Sequence, residues 1–170
     1  MRRQETTANL RRMVLGGIVL VLVQAGIGMV VNLDVSIPDH HPGAHPSNYF
    51  GGSFHSVAWA VAHGGLALAV HVSLGLALIV MVIAIAIRAL RIANRAIGAW
   101  STLAGCLVIG AAFNGASFLD FNKDINSLIM ALLALSAVES YSAALFQLGS
   151  TTQERVALHK PDSREVAEVI

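Results

Sequence analysis

From Val57 to Ile87 the chain carries no Asp, Glu, Lys or Arg, and Ala, Val, Leu, Ile and Gly fill most positions. A hydrocarbon core of ~30 Å takes about 20 residues to cross, so an uncharged apolar run of this length predicts a membrane-spanning helix over 56–87. Two histidines, His63 and His71, interrupt its apolar character. An ionisable side chain inside a span is costly and asks for a reason. At about 100° per residue, Ala60, Gly64, Ala67, His71 and Gly75 share one arc of such a helix, with His63 at its edge. Small side chains on that arc, Gly64 and Gly75 among them, let a second helix or a flat cofactor approach the backbone closely.

The rest of the chain repeats the pattern. Of 170 residues, 55% are hydrophobic and only 12% charged, which predicts a single membrane domain. Three further apolar runs, at 13–32, 97–119 and 127–148, give four spans. Residues 1–12 form a polar N-terminal segment with Arg2, Arg3, Arg11 and Arg12, and 149–170 a charged C-terminal tail broken by Pro161. The first run exceeds the apolar core of a signal peptide and no A-x-A site follows it, so it reads as a retained helix. Gly17, Gln24, Gly28 and Asn32 share one of its faces. Cys106 is expected as a buried structural thiol.

Lys and Arg set the orientation. Seven of them flank the membrane in 1–12 and 88–96, while loops 33–55 and 120–127 contain only Lys123. Both termini are therefore expected in the cytoplasm of a cell with an inner or plasma membrane, in an up-down-up-down bundle with loop 33–55 outside. Arg88, Arg91 and Arg95 recur at helical spacing, a pattern for anionic headgroups rather than nucleic acid.

Loop 33–55 holds Pro38, Pro42 and Pro46 with His40, His41 and His45, and His55 follows at the mouth of the second span. Imidazoles with Asp39 nearby suit zinc or copper, which makes these four histidines a candidate metal site. Near mid-depth, Gln24, His71 and Glu139 are expected to meet inside the bundle, with Asn114 in an outer layer. No Ser/His/Asp arrangement, HExxH, P-loop or dinucleotide motif is present, so no enzymatic activity is read from the chain.

In helix count, length and histidine content the chain resembles four-helix b-type cytochromes. The resemblance implies haem b held by His63 or His71, and electron transfer or haem handling. It departs from that family in placing both histidines on one span, so the second axial ligand would be Met29, Met130, none, or a second copy. An accessory or cofactor-holding subunit of a membrane complex, possessing a respiratory or electron-transfer role, is the first expectation. A cofactor-free assembly partner is the second, and proton or metal-ion passage through an oligomer the third. The lipid bilayer and further copies or a larger complex are the expected partners.

Overall fold

The computed structural model describes the backbone from Arg2 to Leu158 except Ala93, and the side chains of residues 6–150 with the same exception. It is all helical, with α1 (Arg2–Asp34), α2 (Tyr49–His63), α3 (Gly65–Leu90), α4 (Arg95–Phe121) and α5 (Asp124–Leu158). Four of these, α1, α3, α4 and α5, are long and apolar enough to cross a membrane. They close into a ring: α1 packs on α3 and α5, and α4 packs on the same two helices from the other side.

The second span differs from its expectation. Instead of one helix over 56–87, the chain breaks after His63, and a fifth helix, α2, takes up the end of the presumed loop. The cause is the Gly64–Gly65 pair. Gly64 closes α2 by donating its N–H to the Ala60 carbonyl at 3.1 Å, and Gly65 turns the chain at φ +76°, which a residue with a Cβ rarely adopts. Asn48 starts α2 by accepting the Gly51 N–H at 3.2 Å. Gly52, Ser56 and Ala60 form its buried face, while Phe50 and Phe54 point outward. Small residues thus bring α2 close to α3 and α4 and leave the aromatic rings for the surroundings.

Two other boundaries move. Arg88, Arg91 and Arg95 do not share a helical face, because α3 ends at Leu90 and Asn94 caps a new helix by accepting the Ala96 and Ile97 N–H groups at 3.0 and 3.4 Å. Beyond residue 149, α5 continues to Leu158, so the tail begins as helix; residues 159–170 lie outside the described residues.

Two apolar cores result. Leu10, Val14, Val21, Leu78, Val82, Ile85, Ala104, Val108 and Tyr141 belong to the larger, and Val31, Ile37, Ala60, Leu68 and Leu119 to the smaller. Between them on α1 lie Gln24 and Gly28, and on α3 His71 and Gly75. A polar layer therefore separates the cores.

Candidate functional site

The polar layer is built by close approach. A Cβ on Gly28 would come within 2.9 Å of the His71 ring, and one on Gly75 within 3.2 Å of the Gln24 amide nitrogen. Each glycine makes room for the other helix's polar side chain. Gln24 Nε2 donates to the His71 carbonyl at 2.9 Å and lies 3.3 Å from His71 Nε2. An amide nitrogen only donates, so His71 Nε2 accepts and Nδ1 carries the proton. His71 Nδ1 and Gln24 Oε1 are both enclosed without a partner among the described residues. The small-residue arc of α3 thus faces protein, as its composition predicts, but Gly75 is covered by Gln24 and His71 by Gly28.

His63 behaves differently. It closes α2, is exposed, and its ring makes no hydrogen bond among the described residues. Gly64 and Gly65 follow it, and around a Cβ on Gly65 there is open space. A shallow apolar groove of about 430 Å³ starts one turn further along the outer face of α3, lined by Ala69, Val70, Ser73, Leu74 and Ala77.

Glu139 and Asn114 do not complete the polar layer. Glu139 is exposed, on the face of α5 that carries Leu132 and Leu135, opposite the buried Ala137, Tyr141 and Ala144. Its depth in the span predicts an inward placement beside Gln24 and His71. The buried row is instead centred on Ala137, Tyr141, Ala144 and Leu148. Asn114 is half-buried and turns back on its own helix, donating to the Gly110 carbonyl at 3.1 Å. Cys106 also differs from its expectation, being exposed on α4.

His40, His41, His45 and His55 are not gathered into a donor set. Among the described residues no three His, Cys, Asp or Glu side chains stand close enough to hold a metal ion. His40 and His45 are exposed, and His55 faces the Gly51 carbonyl of its own helix at 2.8 Å. His41 is buried as a latch: Nε2 meets the Leu119 carbonyl at 3.0 Å, Nδ1 the Pro42 carbonyl at 3.1 Å, and the ring stacks on Trp59 at 4.4 Å.

Asp120 carries a role that sequence reasoning missed by treating it as part of a polar turn. Its side chain is 1% exposed, with Oδ2 accepting from Ser53 Oγ at 2.7 Å and Oδ1 without a partner. Its carbonyl accepts the His45 N–H at 2.9 Å, and Tyr49 donates to the Phe113 carbonyl at 3.0 Å. Together these contacts tie the His-rich loop and α2 to the end of α4. The helical spacing of Ser53, Ser56 and Ala60 is the one sequence signal for a small, polar face that could have indicated this seam. Compared with known proteins, the chain matches no family model, no curated protein and no solved structure.

Proposed function

We propose that this chain is a cofactor-holding subunit of a larger membrane assembly, with haem b as the group held and electron transfer or haem handling as its role. The contrast between His63, at the end of α2, and His71, within α3, carries this reading. His71 does not fit an axial ligand as it stands, because its unprotonated nitrogen is turned to Gln24. His63 fits: its imidazole is exposed and unpaired, and neutral imidazole is a common haem ligand. Gly65 leaves room beside it, and the outer face of α3 offers a shallow apolar surface lined by Ala69, Val70, Ser73, Leu74 and Ala77. When bound, haem supplies a one-electron couple. The chain's own residues would hold and shield it, His63 as donor and Leu66 and Val70 as apolar contacts.

Topology belongs to the same reading. Four spans run up-down-up-down through a cell membrane of the inner or plasma type, with both termini cytoplasmic and the His41 latch outside. Supporting this, residue numbers fall along one helix as they rise along its neighbour: Gly17 adjoins Ile85 and Gly28 adjoins His71, while Gly110 adjoins Leu133 and Gly115 adjoins Met130. By the same count the basic residues near the spans, Lys123 excepted, fall at one end.

A hemin titration of the detergent-purified protein tests the role. Saturable growth of a Soret band, with reducible α and β bands, is the expected result. A preparation that stays colourless supports the second reading, a cofactor-free assembly partner. That reading has one observation in its favour: side-chain hydrogen bonds join α1 to its neighbours, Gln24 to His71 of α3 and Asn32 to Ser127 of α5, whose Oγ donates at 2.9 Å.

A further inference from the structure

The outer face of α5 poses a problem that one chain does not solve. Within the span Asp124–Ser150, Glu139 lies close to the midpoint. It is exposed, and its neighbours on that face are Leu128, Leu132, Leu135 and Phe146, all more than half exposed. The buried row of the same helix lies on the other side. If α5 crosses a membrane, a carboxyl group stands against acyl chains near the bilayer centre, where its polar atoms find neither water nor a protein donor. Such a group is costly in hydrocarbon and is found facing protein or a cavity.

We propose that a second copy of this chain covers this face, with α5 packed on α5 about a two-fold axis and the two Glu139 carboxyl groups paired at the centre. The choice of occupant follows from depth and chemistry. Copies inserted in the same orientation place the same residue at the same depth, so Glu139 meets Glu139 without further adjustment. Two carboxyl groups at close range cannot both ionise comfortably, but they are complementary when they hold a proton between them, one donating and the other accepting. Contact through another face offers no such answer: among the described residues, the exposed polar side chains in the central turns of the other spans are Ser73 on α3 and Cys106 on α4, and neither is a base. The outward row also recurs at alternating steps of four and three, through residues 128, 132, 135, 139, 142 and 146. That spacing lets identical parallel helices interlock, with a polar residue in the seam fixing the register. Ser142 already donates to the Val138 carbonyl of its own helix, leaving a small, satisfied position beside the acid.

The inference deepens the membrane-subunit reading and needs α5 to span; it does not depend on haem. The test uses the full chain in native membranes, in a Cys106→Ala background, with single cysteines at Leu135, Ser142, Val80 or Phe113. After mild oxidation, Leu135→Cys and Ser142→Cys should run as disulfide-linked dimers, whereas Val80→Cys and Phe113→Cys on other outer faces should stay monomeric. Glu139→Gln should preserve cross-linking, because paired amides still hydrogen-bond. Glu139→Leu should lower its yield by about threefold or more. Equal yields at all four positions, or none at 135 and 142, would overturn the proposal. A water-soluble maleimide separates the causes: labelling of 135 in intact cells means that α5 does not span, and both readings fail. An unlabelled and uncross-linked 135 overturns the second copy alone.

Discussion

Replacing Gly28 by Ala tests the polar layer at its tightest contact. The added Cβ would stand 2.9 Å from His71 Cε1 and 3.5 Å from Nδ1, closer than carbon atoms rest without something giving way. The ring cannot simply retreat, because Gln24 contacts both its Nε2 and the His71 carbonyl. Overpacking of this kind costs about 1–3 kcal/mol. Displacing the ring also loses an interhelical polar contact, which is worth about 0.6–2 kcal/mol in a membrane bundle. A total near 3 kcal/mol is therefore expected, the sum of the two mid-range values. Gly26 supplies the control two residues away. Nothing lies within 4 Å of a Cβ there, so Gly26→Ala should fall within about 0.5 kcal/mol of the parent. Both changes remove the same backbone freedom, and the difference between them isolates the steric term. Equilibrium unfolding in mixed micelles, read by circular dichroism, measures it. Adding Gln24→Ala to Gly28→Ala should cost less than Gln24→Ala alone, since the contact is already broken. Equal stability of the two alanine variants would refute the packing described for His71.

Other outcomes follow from the outer cap. His41→Phe keeps the stack on Trp59 but loses both ring contacts to carbonyls, so stability should drop by about 1–3 kcal/mol and the loop between α1 and α2 should become protease-sensitive. Gly43→Ala should be worse, because φ is +98° and a Cβ would collide with the Gly52 carbonyl and Ser56; loss of folded protein on a gel-filtration column checks it. A cysteine at position 45 should react with an impermeant maleimide in intact cells, and one at position 92 should not, in the Cys106→Ala background. Reaction at 92 alone would invert the topology.

How far the residues alone could lead is clear at particular places. The four apolar runs mark the four long helices, because a charge-free run of that length has few other uses. The face shared by Gly17, Gln24, Gly28 and Asn32 also appears as spacing requires: each of the four adjoins another helix. The break at Gly64–Gly65 stayed hidden, since hydropathy does not change there and only backbone conformation does. Glu139 was misplaced for a similar reason. Polar character suggests an interior, but the helix face is set by which side of α5 packs on α1 and α4, and Tyr141 and Ala144 take that side. His41 and Leu119 meet across 78 residues of chain, Ser53 and Asp120 across 67, and no local pattern announces such pairings. His40, His41, His45 and His55 lie close together in sequence, yet Pro and Gly turns and the latch of His41 separate their rings.

The haem assignment rests on the difference between a free imidazole and a tied one, and one comparison tests it directly. Visible spectra are recorded for the hemin-loaded parent, His63→Ala and His71→Ala, each purified at matched yield. The expected result is a Soret band in the parent and in His71→Ala, abolished in His63→Ala. A band that survives His63→Ala, or a parent that never acquires one, would contradict it.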